Sequence, residues 1–193
     1  MRLIQQRFRC VLQHGIKDTC KVCQKQPPQR KLREILYVGR LDENKGADLL
    51  IEAFGLIEKL VPDLRLVVAG EGSLLPALLQ KCKGYWDKVL FIGFLKREEF
   101  EEWYSRATVG VIPSRYEEMG FVALEMMMHG LPIVANNTTG LADLLRFAKA
   151  GTLISLNLQD KGTATEQLAT AIVNLVNNKE LLRHYGESGR KCF

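Results

Sequence analysis

The sequence lacks an apolar run of the roughly 20 residues needed to span a bilayer, and its first residues, MRLIQQRFRC, lack the continuous hydrophobic core of a secretory signal. It also has no Asp-x-Asp pair. A Walker phosphate loop is absent as well, because Lys45 and Gly46 stand in the reverse of the required order. We therefore expect no integral membrane segment, a cytoplasmic location and a site that needs no metal.

Cysteine is scarce and irregularly placed. The five cysteines are Cys10, Cys20, Cys23, Cys82 and Cys192. An odd, scattered set is a poor disulfide framework and favours a reducing compartment. Cys20-x-x-Cys23 resembles half of a zinc site, but no second pair at a suitable spacing completes it.

The positive net charge is concentrated at the N-terminus. Residues 1–33 hold nine Lys or Arg and one acid, a balance of +8, which leaves −3 for the rest of a chain whose total is +5. Residues 1–33 contain QKQPPQRK, which is typical of a linker, so we interpret them as a basic lead-in segment. The remainder is not a basic nucleic-acid binder. An acidic partner or a membrane surface stays open as a role for the lead-in.

From residue 34 onward, short apolar segments alternate with amphipathic ones. Segments 47–60 and 97–107 repeat apolar residues every three or four positions, which predicts helices. Six runs rich in Val, Ile and Leu predict strands at 35–39, 64–70, 89–94, 109–114, 132–136 and 152–156. This alternation is typical of a parallel sheet covered on both faces. We predict one α/β domain at 34–193, a doubly wound, Rossmann-like parallel sheet of about six strands, closed by helices near 164–177 and 179–190.

Ligands of such sheets bind at the carboxyl ends of the strands. The first predicted strand is followed by GRLDENKG, which offers Gly39, Arg40 and Lys45. The second is followed by GEGS, which lacks the third glycine of a dinucleotide-binding loop. The third ends in Gly93-Phe94, and the fourth leads into PSRYEEMGFVALE.

The stretch after the fourth strand predicts an anion site. Gly120 permits a tight turn, and a helix that begins there presents free N–H groups at 120–122, which suit a phosphate. Arg40 and Lys45 could add positive charge to the same anion. Glu125 lies one turn further in, where a carboxylate can accept hydrogen bonds from a ribose. Glu117 precedes the turn and is expected to face outward, toward the group that a diphosphate carries.

These motifs resemble a known family. GRLDENKG, VVAGEG, the Glu-x7-Glu of YEEMGFVALE, and HGLPIVA followed by TTGLADLL are similar to the C-terminal, nucleotide-sugar-binding domain of family 4 retaining glycosyltransferases with the GT-B fold. The resemblance runs from about residue 12 to the end of the chain. The sequence departs from the family at Met119, Thr139 and Asp143, where an aromatic, a glycine and a glutamate are common.

The resemblance implies a role for each matched position. Arg40 and Lys45 would bind the donor diphosphate, and Glu117 would contact the transferred sugar. Glu117, Arg40 and Lys45 would form the catalytic set. The full set implied for the donor nucleotide and sugar is Gly39, Arg40, Lys45, Gly93, Phe94, Glu117, Gly120, Phe121, Val122 and Glu125. No metal or cofactor is expected, and the mechanism, front-face attack or a covalent intermediate, stays open.

The resemblance also implies that an N-terminal, acceptor-binding domain is missing, so the chain alone would bind the donor and transfer sugar poorly. As the donor, a UDP- or GDP-linked sugar is expected in preference to an ADP-linked one. The family also implies a pathway that makes a polysaccharide or a glycolipid. Peripheral membrane association of the full-length enzyme is a further family-level expectation. Nucleic acid is not an expected partner.

Two other classes of function compete with this interpretation. A GT-B nucleotide-sugar epimerase should show further acids and histidines at the cleft, and a phosphorylase should show a lysine for pyridoxal phosphate; neither pattern is visible. A non-catalytic nucleotide-sugar-binding module is the second alternative. The presence of Arg40, Lys45, Glu117 and Glu125 argues against a degenerate site.

Overall fold

The structure is a computed structural model that describes residues 33–193, without the side chains of Arg97 and Glu98. The predicted lead-in at 1–33 lies outside the described residues apart from Arg33, and so does the Cys20-x-x-Cys23 pair. All residues predicted for the site lie inside the described part.

The described residues form six strands and seven α-helices. The strands are β1 Glu34–Val38, β2 Arg65–Ala69, β3 Val89–Gly93, β4 Val109–Ile112, β5 Ile133–Asn136 and β6 Gly151–Ile154. The helices are α1 Ala47–Leu60, α2 Leu75–Lys81, α3 Arg97–Arg106, α4 Phe121–Met128, α5 Thr139–Ala148, α6 Lys161–Val176 and α7 Lys179–Arg190, with short 3-10 helices at Glu43–Lys45 and Trp86–Lys88. Every predicted strand lies within two residues of an observed one.

The six strands form one parallel sheet in the order β3-β2-β1-β4-β5-β6. The chain moves outward from β1 to β3, then crosses back to place β4 on the other side of β1. This is the doubly wound, Rossmann-like arrangement, so the predicted fold class is confirmed. The reversal lies between β1 and β4.

Alternate residues of the strands fill two separate cores, because successive side chains of a strand point to opposite faces. Ile35 and Tyr37 pack on one face, in a cluster with Phe54 of α1. Leu36 packs on the other face with Tyr104 and other residues from α3, α4 and α5. Both faces of the sheet are therefore buried, as the continuous apolar strands predict.

The helix α6 begins at residue 161, three residues earlier than predicted. Asp160 causes the earlier start, since its side chain accepts hydrogen bonds from the N–H groups of Gly162 at 3.0 Å and Thr163 at 3.3 Å. Within residues 33–193, no helix combines the length and the apolar character required to cross a membrane.

Candidate functional site

Two loops meet where the strand order reverses: the β1–α1 loop, residues 39–46, and the β4–α4 loop, residues 113–120. The Arg115 N–H donates to the carbonyl of Asn44 at 2.8 Å. Gly46 has φ 71°, and a Cβ there would lie 2.3 Å from the Pro113 carbonyl oxygen, so this approach requires glycine. The two loops lie at the carboxyl ends of β1 and β4, on either side of the reversal in strand order, which is where open α/β sheets bind ligands. We call this region the crevice.

An ion pair joins the β1–α1 loop to the β4–α4 loop. Lys45 Nζ donates to Glu117 Oε2 at 2.6 Å. The two side chains are 26% and 18% exposed, so the pair is largely shielded from water. The structure thus brings together one residue predicted for the diphosphate and one predicted for the transferred sugar. Asp42 helps to place the lysine, because its side chain accepts from the Lys45 backbone N–H at 3.0 Å.

Arg40 lies on the same loop but extends into solvent. Its guanidinium pairs with Asp42 at 3.1 Å, and its side chain is 74% exposed. The backbone beneath it is fixed, since Tyr37 donates its O–H to the Arg40 carbonyl at 2.8 Å. Burial and the neighbouring Asp42 carboxylate raise the pKa of Tyr37, which keeps the tyrosine protonated as a donor. Arg40 would therefore have to leave Asp42 to reach a ligand at Lys45.

The helix α4 begins at the crevice, immediately after Gly120. Gly120 has φ 63° and ψ 40°, and no side chain in the described part of the chain caps the helix. A Cβ at Gly120 would lie 2.8 Å from Leu141 Cδ2, so α4 starts in close contact with α5. The first N–H groups of a helix lack intrahelical acceptors and carry partial positive charge. The start of α4 therefore offers a surface that attracts anions, with Phe121 exposed and Val122 half-buried beside it.

Glu125 is held by a tyrosine from the neighbouring helix. Its Oε2 accepts a hydrogen bond from the Tyr104 O–H at 2.8 Å. Tyr104 is only 2% exposed. Burial and the charge of Glu125 raise the pKa of Tyr104, so the phenol keeps its proton. A carboxylate has two oxygens, so Glu125 can accept a hydrogen bond from a ligand while Tyr104 fixes its orientation.

The other predicted residues lie along the same edge of the sheet. The Gly39 N–H donates to Ala69 at 3.0 Å, and the Gly70 N–H donates to Gly93 at 2.8 Å, so the ends of β1, β2 and β3 lie side by side. Phe94 follows Gly93 and is 74% exposed. The predicted residues thus extend from the end of β3 to the end of β4.

An ion cluster anchors the segment that carries Glu117. Arg115 donates two hydrogen bonds of 2.9 Å to the carboxylate of Asp48 on α1 and a further one to the Glu43 carbonyl. Lys161 Nζ of α6 lies 3.3 Å from the same carboxylate. Burial opposes ionisation of Asp48, but hydrogen bonds and charges from Arg115 and Lys161 outweigh it and lower the pKa below the ordinary 3.8.

This lowered pKa predicts acid sensitivity. A carboxyl whose folded pKa is depressed contributes stability that is present above its unfolded pKa and is lost as the pH falls through the folded value. We expect Asp48→Asn to lower the free energy of unfolding by about 1–3 kcal/mol at neutral pH. We also expect it to flatten the loss of stability that the wild type shows below roughly pH 4.

Urea unfolding over a pH series measures both effects. Asp87→Asn, at an exposed aspartate, is the matched control and should follow the wild type. Identical pH dependence in the wild type and Asp48→Asn would contradict the role of the cluster.

A cavity of about 1190 Å³ lies beside the Lys45–Glu117 pair, at the carboxyl ends of β4, β5 and β6. It is walled by parts of segments 115–119 and 136–140 and by Leu156. Among the predicted site residues, all of which the structure describes, only Glu117 lines it. The structure thus shows a cavity next to the strand ends at which the site is predicted.

Sequence reasoning missed three contributors to this region. Tyr104 belongs to the apolar face predicted for segment 97–107, and nothing in its spacing indicates its hydrogen bond to Glu125. No pattern in the sequence marks Arg115 as a contributor to the site. The wall formed by segment 136–140 could have been predicted, because the polar run NTTG, residues 137–140, directly follows the strand predicted at 132–136 and ligands bind at strand ends.

Solved structures of glycosyltransferases share this fold. The solved C-terminal domain of a glycosyl transferase group 1 family protein, LpcC from Francisella tularensis, superposes with a TM-score of 0.78 at 24% identity, covering 92% of this chain and 96% of that one. WaaG, a glycosyltransferase involved in lipopolysaccharide biosynthesis, superposes with a TM-score of 0.71 at 26% identity, over 93% of this chain and 47% of that one. The described domain has the fold of the C-terminal domain of a group 1 glycosyl transferase.

The chain belongs to the family described as glycosyl transferases group 1, whose sequence model matches residues 18–192. Alpha-D-kanosaminyltransferase from Streptomyces kanamyceticus is 32% identical over 156 residues, which is 80% of this chain and 39% of that protein. The chain spans less than half the length of the curated relatives it matches. The predicted GT-B group 1 resemblance is confirmed, while family 4 and retention stay predictions.

Proposed function

We propose that residues 34–193 bind a nucleoside-diphosphate sugar, and that the enzyme to which they belong transfers this sugar to an acceptor with retention of configuration and without a metal. The observation that carries the proposal is the ammonium of Lys45, paired with Glu117 at 2.6 Å beside the uncapped start of α4. Membership of a glycosyltransferase family supports the type of reaction.

The crevice contains cations that a diphosphate could take over from their present carboxylate partners, Lys45 from Glu117 and Arg40 from Asp42. The N–H groups of Gly120, Phe121 and Val122 and the ammonium of Lys45 would contact the phosphate oxygens. Arg40 would join them after leaving Asp42. Because the Arg40 side chain is 74% exposed, water screens this pair and breaking it costs little.

These groups would act on the leaving diphosphate. In the transfer, the bond between the anomeric carbon and the β-phosphate oxygen breaks, and its electron pair stays on the diphosphate. The oxygen of an acceptor hydroxyl forms the new bond to the anomeric carbon, and its proton passes to an oxygen of the departing diphosphate. Lys45, Arg40 and the helix N–H groups stabilise the negative charge as it develops, and we place Glu117 against the transferred sugar.

The remaining predicted residues would hold the nucleoside. Glu125 would accept hydrogen bonds from the ribose, Gly39 would let the backbone approach the donor, and Gly93 and Phe94 would contact the base. We favour uridine or guanosine over adenosine. We place the enzyme in the cytoplasm and assign acceptor binding mainly to a further N-terminal domain, which fits the greater length of the relatives.

Titration calorimetry of the 193-residue chain with UDP, GDP and ADP, in buffer containing EDTA, tests the proposal. We expect binding heat with UDP or GDP that EDTA does not change. No heat with any of the three would contradict donor binding. Heat that appears only after magnesium is added would contradict metal independence.

The Tyr104–Glu125 hydrogen bond predicts an effect on nucleoside affinity. Tyr104→Phe keeps the buried ring and removes the O–H that orients Glu125, so we expect UDP to bind about 0.5–1.5 kcal/mol more weakly, roughly two- to tenfold. Tyr85→Phe is the matched control, because Tyr85 donates its O–H to the Ile51 carbonyl at 2.8 Å, away from the crevice. Calorimetry with UDP measures both variants, and equal losses would show that Tyr104 acts only through stability.

A further inference from the structure

The cavity beside Glu117 is large for the donor sugar alone. Its volume of about 1190 Å³ exceeds the roughly 300–1,000 Å³ that is usual for small-molecule sites. It starts at Glu117 and continues along the ends of β5 and β6, on the opposite side of the crevice from β3 and Phe94. A donor that occupies the edge from β3 to β4 would therefore leave most of the cavity open.

The lining mixes groups that bind hydroxyls with apolar surface. Asn137, Thr139 and Ser155 are exposed in it, and an amide or a hydroxyl can both donate and accept. Asn137 Nδ2 donates to Ser155 Oγ at 3.0 Å, which holds two of these groups together. Leu156 and Leu158 supply apolar contact. A sugar ring carries hydroxyls and C–H surface on the same face, so it matches such a lining.

The charge of the lining disfavours a second phosphate site. Arg115 is the one cation among the described lining residues, and both terminal nitrogens of its guanidinium already donate to Asp48. Glu118 and Asp143 form no ion pair with any described residue, and Glu118 accepts only the neutral O–H of Tyr116, at 2.6 Å. The guanidinium of Arg146 touches the lining, since it donates to Asn137 Oδ1 at 3.1 Å, but two carboxylates against this one cation leave a net negative charge that disfavours phosphates and carboxylates.

We infer that this cavity binds an uncharged sugar of the acceptor, next to the transferred sugar at Glu117. The inference rests on the proposed function, because an acceptor exists only if the crevice holds a sugar donor. The two regions then have opposite preferences: Lys45 and the start of α4 attract an anion, and the cavity repels one. The C-terminal half would thus contribute to acceptor recognition as well as to donor binding.

Saturation-transfer NMR on the 193-residue chain tests the inference. The uncharged probes are methyl α-D-glucopyranoside and maltotriose, and the anionic probes are glucose 6-phosphate and glucuronic acid. We expect saturation transfer to the uncharged probes and signals at least roughly fivefold weaker from the anionic ones. Backbone amide shifts should appear at Asn137, Thr139 and Ser155.

A cavity-filling variant tests the location. Thr139 is exposed at the start of α5, so Thr139→Trp should fill the cavity without disturbing a core. Thr170→Trp, at an exposed threonine of α6 outside the cavity, is the matched control. We expect sugar signals to disappear in the first variant and remain in the second, while both bind UDP like the wild type. If Thr139→Trp fails to fold, Asp143→Lys replaces it and should raise the relative signal of glucuronic acid.

Each outcome decides one of the two proposals. Absent signals from both uncharged probes, equal signals from the anionic probes, or signals that survive Thr139→Trp would each overturn the cavity assignment even if UDP binds. A chain that binds the uncharged probes but no nucleoside diphosphate would overturn the donor site and, with it, the acceptor role.

Discussion

Lys45→Met is expected to weaken UDP binding by about 1.5–3 kcal/mol, roughly 10- to 150-fold, the range for losing a hydrogen bond to a charged group. The Lys45 side chain is 26% exposed and that of Arg40 is 74% exposed, so water screens the charge of Lys45 less than that of Arg40. The substitution also leaves the Glu117 carboxylate without its partner, and an unpaired carboxylate repels a phosphate. Calorimetry with UDP in EDTA measures the loss.

Lys59→Met is the matched control for this prediction, because Lys59 is an exposed lysine near the end of α1 and far along the chain from the crevice. It removes the same charge and should leave UDP affinity unchanged within about twofold. A Lys45→Met variant that binds UDP as tightly as this control would show that the lysine is not a phosphate ligand.

Glu117→Gln is expected to have the opposite effect on the bare nucleotide. In the empty crevice the Glu117 carboxylate neutralises Lys45, so a diphosphate has to displace it. Glutamine keeps the size and removes the charge, and we expect UDP to bind about 1 kcal/mol more tightly, roughly fivefold. UDP-glucose should gain less or lose affinity, because we assign Glu117 to the hydroxyls of the sugar.

Glu118→Gln separates this competition from a general effect of charge. Glu118 is the next residue, but it contacts the Tyr116 O–H and not Lys45. The ratio of UDP to UDP-glucose affinity should rise in Glu117→Gln and stay unchanged in Glu118→Gln. Equal tightening in the two variants would mean that Glu117 acts only through long-range electrostatics, and no change in either would mean that it does not compete with phosphate.

The architecture could be predicted because local patterns and the global fold agree. Segment 47–60 has a single apolar face and forms α1 with the predicted bounds. Strands without polar alternation require cover on both faces, which the two cores provide. The predicted start of α6 is three residues too late. Asp160 caps the helix, and its first residues, Lys161 and Gly162, show no apolar periodicity from which the start could be predicted.

The sequence predicts which edge of the sheet carries the site, but it does not predict the contacts between side chains at that edge. The rule that ligands bind at strand ends placed Lys45 and Glu117 in one region. Their pairing depends on the close approach of Gly46 to Pro113, which a sequence pattern does not encode. The hydrogen bond from Tyr104 on α3 to Glu125 on α4 likewise depends on how these two helices pack against each other.

The most direct test of the central claim is the change in backbone amide NMR shifts of the 193-residue chain when UDP is added in EDTA. If a diphosphate binds between Lys45 and the start of α4, the largest shifts will appear at Gly120, Phe121 and Val122, and Lys45→Met will reduce them. Shifts confined to segment 136–140, with 120–122 unchanged, would contradict the account.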